Sequence, residues 1–107
     1  MFRKNPETKL VDMFPGVTRR TMNSGERTTL AEIGLAKDAI VPGHTHPHEQ
    51  IGYVSRGRVR FQIAEEVREL GPGDSYLIPG GVFHEVTALE DAVCVDVFSP
   101  VREEFLD

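Results

Sequence analysis

Three of the four histidines in this chain lie within five residues of one another, in a segment that reads His-Thr-His-Pro-His-Glu-Gln over residues 44–50. The fourth, His84, lies thirty-four residues beyond the end of that segment. Neutral imidazole is a ligand of Zn, Cu, Fe and Ni ions, so these residues are metal-ligand candidates. The alternative, which the histidines alone leave open, is a chance cluster of surface residues.

The backbone around the first histidines decides which of them can face one ion. Residues at i and i+2 share a face only where the chain is extended. Pro42 and Pro47 both disfavour a helix here. We therefore expect an extended segment in which His44 and His46 point the same way.

The composition predicts a small cytoplasmic domain. At 107 residues the chain is long enough for one core and too short for two. Its net charge of -5 and pI near 5.3 argue against nucleic acid or an anionic membrane as the main partner. The single cysteine, Cys94, fits a reducing compartment, and neither a signal peptide nor a membrane-spanning run is recognisable.

Short runs separated by glycine and proline predict about nine β-strands and no long helix. Residues 59–63 alternate between apolar and polar side chains, and residues 71–74 (Gly-Pro-Gly-Asp) are a strong turn signal. This pattern favours an all-β sandwich or barrel of the jelly-roll kind, whose mouth can hold a ligand. We assign residues 1–16 to an N-terminal arm that packs on the body or on a second subunit. Residues 17–107 form the domain, with a charged C-terminal tail.

The strand predicted over residues 92–98 raises the question of where Asp96 points. Three valines alternate with Cys94, Asp96 and Phe98, so the two sets lie on opposite faces. If Asp96 lines the interior, its carboxylate needs a partner or a chemical role, because an isolated buried charge is unfavourable. An outward, solvated Asp96 is the equal alternative. Arg60 is likewise either an anion anchor in the interior or an ordinary surface charge.

The spacing of histidines, glycines and prolines resembles the two sequence motifs of the cupin family. The residues that fall on these motifs are His44, His46, Gln50, Gly57, Gly73, Pro79, Gly81 and His84. Three positions depart from the family pattern, since Gln50 stands for Glu, Asp38 for Gly and Ala88 for Asn. The resemblance implies a single-domain cupin, an all-β double-stranded β-helix.

The resemblance also implies one divalent transition metal (Ni, Zn, Fe or Mn) at the centre of the barrel. Its implied ligands are His44, His46, Gln50 and His84. The residue types support the histidines independently, whereas Gln50 depends mainly on the resemblance. A neutral amide in place of a carboxylate leaves the site one charge more positive, which makes the metal a stronger Lewis acid. His48 is interpreted as a rim residue or a hydrogen-bond partner.

A shorter pattern, Asp96-x-Phe98-x-x-x-Arg102, is similar to the end of the KdgF-type cupins of pectin and alginate degradation, which share the run at residues 44–50. Those enzymes open 4,5-unsaturated uronates to the linear keto form. The resemblance implies that Asp96 transfers protons, Arg102 fixes the substrate carboxylate and Phe98 packs on the sugar. Without it, Arg102 would be interpreted as a solvated charge of the tail and Phe98 as core.

Two other functions stay open at this point. An iron cupin dioxygenase is expected to have a mainly apolar and aromatic interior. A non-catalytic sugar- or metal-binding module would bind its ligand tightly without converting it. By resemblance we further expect a homodimer and a small-molecule substrate that is an anionic sugar.

Overall fold

The computed structural model describes residues 1–107, and its regular structure consists of ten β-strands and two short 3-10 turns. The strands are β1 (Leu10–Phe14), β2 (Val17–Ser24), β3 (Thr29–Leu35), β4 (Ile40–His44), β5 (Glu49–Arg56), β6 (Val59–Ile63), β7 (Glu66–Leu70), β8 (Ser75–Ile78), β9 (His84–Ala88) and β10 (Ala92–Ser99). The turns cover Asn5–Glu7 and Glu103–Phe105. Neither helical segment has the length and hydrophobicity that crossing a membrane would take.

The strands form two antiparallel sheets that enclose the core. Six strands make one sheet in the order β1-β2-β3-β10-β5-β8, and four make the other in the order β4-β9-β6-β7. Several neighbouring strands are distant in the sequence, as β10 is from both β3 and β5, which is the connectivity of a jelly roll. The predicted all-β jelly-roll fold is confirmed.

The core lies between the inner faces of the two sheets. Along β3 and β10 every second residue is buried, because successive side chains of a strand point to opposite faces. The largest fully buried side chains are Val17, Thr29, Val54, Val59, Ile78 and Phe98. Burial of each large aliphatic or aromatic side chain contributes about 1.5–3 kcal/mol, which holds the sheets together.

The N-terminal arm assigned to residues 1–16 contains β1, which pairs with β2 at one edge of the six-stranded sheet. The sequence predicts no strand there, because the apolar residues of β1 occupy both of its faces. Nearer the terminus, the Asn5 amide donates to the Glu32 carboxylate at 3.0 Å. The arm therefore lies against the outer side of β3, opposite its buried residues.

An apolar row crosses the outer face of the six-stranded sheet. Leu30, Val97, Ile51 and Leu77 are direct partners on β3, β10, β5 and β8. Ile51 and Leu77 are 53% and 52% exposed. Tyr53, on the same face of β5, is exposed to a similar extent. This row is available for contact with another surface.

Candidate metal centre

The three predicted histidine ligands come together in space. His44 ends β4 and His84 begins β9, and the two are direct partners in the ladder, with ring centroids 4.3 Å apart. His46 lies in the loop between β4 and β5, so the segment stops being a strand directly after His44. The ring of His46 nevertheless turns toward the other two, and one nitrogen from each ring lies within 4.8 Å of the others. This cluster is a candidate site for a divalent metal.

Backbone carbonyls hold all three rings in the same way. Nδ1 of His44 lies 2.8 Å from the Pro42 oxygen, and Nδ1 of His84 lies 2.9 Å from the Val82 oxygen. Nδ1 of His46 lies 3.1 Å from the oxygen of residue 48. Because a carbonyl only accepts, each Nδ1 carries the proton and each Nε2 is left with a free lone pair. Such outer contacts orient metal-binding histidines, so the residues fit a metal ion.

Gln50 lies beside the cluster, on the inner face of β5. Its Oε1 lies 3.0 Å from Nε2 of His46. With the proton of His46 on Nδ1, both facing atoms carry lone pairs, an arrangement that suits two ligands of one cation. Burial lowers the pKa of His46 and lowers that of His84 to about 4, so both rings are neutral at neutral pH. A neutral ring is the form that binds a metal.

Asp96 lies in the interior, on the buried face of β10, and is 4% exposed. Of the two orientations that the sequence leaves open, the structure has the inward one. The Tyr76 hydroxyl donates to Oδ1 of Asp96 at 2.5 Å. Burial raises the pKa of Asp96 to about 6, against the opposing effects of Tyr76, Gln50 and Arg102. The carboxyl group therefore exchanges its proton far more readily near neutral pH than an ordinary aspartate.

Tyr76 is a site residue that the sequence analysis missed, and Gly52 makes its contact with Asp96 possible. In the sheet Gly52 stands between Tyr76 on β8 and Asp96 on β10. A Cβ at this position would come 2.2 Å from both Oδ1 of Asp96 and Cζ of Tyr76. The available signal was a lone glycine inside an apolar strand, which often marks a close approach.

Arg102 belongs to the interior of the site, because its guanidinium lies over two aromatic rings. Its Cζ is 4.7 Å from the ring centre of Phe98 and 4.1 Å from that of Phe105. Phe98 is almost completely buried, and its ring centre is 5.8 Å from that of His46. Phe105, in the second 3-10 turn, was not singled out from the sequence, where nothing distinguishes it from other tail residues.

The remaining candidates lie outside this arrangement or at its edge. Arg60 is exposed, so the interior anion anchor considered from the sequence is wrong and the surface interpretation holds. His48 is buried, and its Nε2 lies 4.0 Å from the Glu104 carboxylate. Cys94 is a free, buried thiol whose pKa burial raises to about 12, as expected of a packing residue.

His44, His84 and Asp96 line one cavity of about 370 Å³. Its polar wall consists of His44, Gln50, His84, Asp96, Tyr76 and Arg102. Its apolar wall includes Met13, Phe14, Ile33, Leu35, Val41 and Phe61. The cavity therefore combines candidate metal ligands and a titratable carboxyl group with apolar side chains on which a ligand can pack.

A model of the cupin domain matches residues 31–98. The pectin degradation protein KdgF of Dickeya dadantii (strain 3937) is 34% identical over 102 residues, which are 94% of this chain and 93% of that protein. The structure of KdgF from Halomonas sp. superposes with a TM-score of 0.94 at 32% identity, covering 99% of this chain and 98% of that one. An RmlC-like cupin from Shewanella frigidimarina NCIMB 400 gives the same TM-score at 28% identity, covering 98% and 95%.

Proposed function

Since the chain belongs to the cupin family, we propose that it is a metal-dependent enzyme that opens 4,5-unsaturated uronates to the linear keto form during pectin or alginate degradation. The observation that carries this proposal is the buried Asp96 carboxyl, which lines the same cavity as His44, His84 and Arg102. The similarity to proteins named KdgF, one of them a pectin degradation protein, supports the choice of substrate.

The metal would be held by His44, His46, His84 and Gln50. Three imidazoles and an amide oxygen suit Ni, Zn, Fe or Mn. Bound there, the ion would act as a Lewis acid toward an oxygen of the substrate.

Asp96 is the group that moves protons in this proposal. The substrate carries an enol ether, a C4=C5 double bond next to the ring oxygen. Asp96 gives its proton to C4, water adds at C5, and that water returns a proton to the carboxylate. The resulting hemiketal opens to the linear keto form. Tyr76 donates to Oδ1, which leaves Oδ2 to make the transfer.

The binding roles fall to the aromatic and basic residues beside Asp96. Arg102 lines the cavity and would fix the substrate carboxylate through its N–H groups. Phe98 lies beneath its guanidinium and would give the sugar an apolar surface to pack on. An anionic sugar would thus be recognised by the charge of Arg102 and by packing against Phe98.

The test is a metal-reconstituted assay on an unsaturated uronate monomer, following loss of its conjugated ultraviolet absorbance. We expect Asp96→Asn to lower turnover at least about 100-fold, the range of general acid–base catalysis, while keeping its metal. Asp12→Asn, an exposed aspartate of β1, is the matched control and should turn over normally. Unchanged turnover in Asp96→Asn refutes the role of Asp96, and no acceleration with any divalent metal refutes the proposed reaction.

The apolar wall of the cavity favours a second candidate, an iron cupin dioxygenase. Apolar and aromatic side chains are the surroundings expected for such an enzyme, and they form much of the cavity lining. Oxygen consumption by the iron-loaded protein with a phenolic or thiol substrate would support it. Tight binding of a uronate without conversion would instead identify a non-catalytic sugar-binding module.

A homodimer is part of the proposal. The apolar row formed by Leu30, Val97, Ile51 and Leu77 ends on β8, which is an unpaired edge of the six-stranded sheet. A second copy placed on this row would cover both the apolar side chains and the edge.

A further inference from the structure

Arg102 is held by aromatic rings, which leaves its charge available. Its guanidinium lies over both Phe98 and Phe105, whose ring centres are 5.3 Å apart in an edge-to-face arrangement. Ring faces attract a cation without taking up its N–H donors. Nε of Arg102 is buried without a hydrogen-bond partner, and it forms an ion pair at 3.6 Å with the carboxylate of Glu104, whose side chain is exposed. The residue is thus oriented while donor capacity remains free.

Phe105 is in turn contacted by Arg19, a buried residue of β2. Cζ of Arg19 lies 4.4 Å from the ring centre of Phe105. Its Nη1 donates to the Phe105 carbonyl oxygen at 2.8 Å and to the Thr21 hydroxyl at 2.9 Å. Its Nη2 contacts the Asp107 carboxylate at 3.2 Å. Arg19 therefore contacts both the ring and the backbone of Phe105, and it also binds the last residue of the chain, Asp107.

This arrangement is not one that stability alone would favour. Burying a guanidinium is unfavourable unless its donors are all paired, and Nε of Arg19 has no partner. The two cations also approach the same ring, and the pKa of Arg102 is lowered mainly by its burial and to a smaller extent by the charge of Arg19. Arg19 packs against the ring that supports Arg102 at a cost in stability. This suggests that Arg19 serves to fix the position of the Arg102 guanidinium.

We propose that Arg19 and Phe105 are positioning residues, which hold the guanidinium of Arg102 at the cavity in the one place where it meets the substrate carboxylate. The inference rests on the proposed function in that the ligand is taken to be a uronate. The order of contact is Arg19, then Phe105, then Arg102, and only the last touches substrate. Because the guanidinium is ordered before binding, less entropy is lost when the carboxylate arrives.

The first test observes Arg102 without any substrate. In the zinc-loaded protein, the Nε–H signal of Arg102 in the NMR spectrum is assigned by its absence in Arg102→Lys. We expect ring currents from Phe98 and Phe105 to shift this signal away from that of a free arginine. Arg19→Met and Phe105→Leu should each move it toward the free value. If the Arg102 signal of Arg19→Met stays at its wild-type position, in a protein that keeps its fold and zinc, the inference is overturned.

Arg20→Met is the matched control. Arg20 is the next residue of β2 and also donates to a backbone carbonyl, that of Thr8 at 2.6 Å, but it ties down the N-terminal arm and not the tail. Its replacement should leave the Arg102 signal in place. Movement in both variants would show a general loosening of β2 and would overturn a specific role for Arg19.

The second test separates positioning from a merely structural role. We expect Arg19→Met to raise KM for the unsaturated uronate about tenfold while kcat stays within about twofold, because preorganisation acts on binding of the carboxylate. The methyl ester of the same substrate, which lacks the charge, should show no such rise. An equal loss on acid and ester overturns the inference. A wild-type protein that accelerates neither substrate refutes the proposed function instead, and the NMR result then decides the positioning role by itself.

Discussion

Burial of the Asp96 carboxyl raises its pKa to about 6 from an ordinary value of 3.8. The folded state therefore binds this proton more tightly than the unfolded chain does. The associated stability is present below pH 3.8 and is lost as the pH rises through about 6. Each pKa unit corresponds to 1.36 kcal/mol, so at pH 8 the ionised, buried carboxylate destabilises the fold by about 3 kcal/mol.

Asp96→Asn should therefore stabilise the metal-free protein at high pH. We expect a gain of about 3 kcal/mol in the free energy of unfolding at pH 8, falling toward zero near pH 4, because the amide has no charge to bury. Urea unfolding of both proteins across this range measures the difference. Asp12→Asn, whose side chain is exposed, should give no such pH-dependent gain. A gain that is the same at both pH values would contradict burial as the cause.

The histidines of residues 44–50 should not contribute equally to metal binding. His44→Ala should abolish stoichiometric zinc binding, because it removes one nitrogen of the cluster. His48→Ala, although His48 is also buried and lies in the same segment, should retain zinc, because that ring is outside the cluster. Metal content after dialysis measures both. Equal loss in the two variants would mean that the segment, and not the three-histidine cluster, holds the ion.

At the scale of a strand, the absence of a side chain at Gly52 of β5 allows Tyr76 and Asp96 to meet across it. A Cβ there would overlap both Tyr76 and Asp96. Overpacking of this kind costs about 1–3 kcal/mol. We expect Gly52→Ala to lower the free energy of unfolding by about that amount and to reduce turnover, since the hydrogen bond from Tyr76 to Asp96 cannot persist unchanged.

Gly25→Ala is the control for this prediction. Its nearest neighbour would be Thr28 Oγ1 at 3.9 Å, which is ordinary contact. Unfolding by urea should show a change of no more than about 0.5 kcal/mol, as is usual for surface substitutions. If Gly52→Ala were equally neutral in stability and activity, the close approach across β5 would have no functional consequence.

The position of a strand within its sheet explains whether the sequence predicts it. In β6 apolar and polar side chains alternate along the sequence because one face is buried, whereas β1 lies at a sheet edge and shows no such alternation. Periodicity places Asp96 opposite the valines of β10, but only the position of β10 between β3 and β5 decides which face is interior. The contacts that Tyr76 and Phe105 make depend on strand order and on the fold of the tail, and no local pattern encodes either.

The cupin motifs predict the histidine cluster for a different reason. Their glycine and proline spacings specify turns, and the turns bring β4 and β9 side by side, so that His44 and His84 become partners. The part of the site that local chain geometry fixes is thus predictable from the sequence. The part that is formed by side chains from distant strands is not.

At the scale of the whole molecule, the apolar row on the outer face of the six-stranded sheet predicts the mode of assembly. Burying Ile51 and Leu77, each about half exposed, together with Tyr53 would contribute several kcal/mol per interface, at about 25 cal/mol per Å² of apolar area. We expect the wild-type protein to sediment at twice its chain mass of 11.9 kDa. Ile51→Glu should sediment at the single-chain mass, because a charge on this row cannot be buried against its own copy.

Val67→Glu is the matched control for assembly. Val67 is exposed to nearly the same extent as Ile51 but lies on β7, at an edge of the four-stranded sheet. Its replacement by glutamate should leave the dimer intact, because that edge is remote in strand order from the apolar row. Dissociation by Val67→Glu alone would move the interface to the four-stranded sheet. A wild-type protein that sediments as a single chain would refute the dimer and leave the apolar row without this explanation.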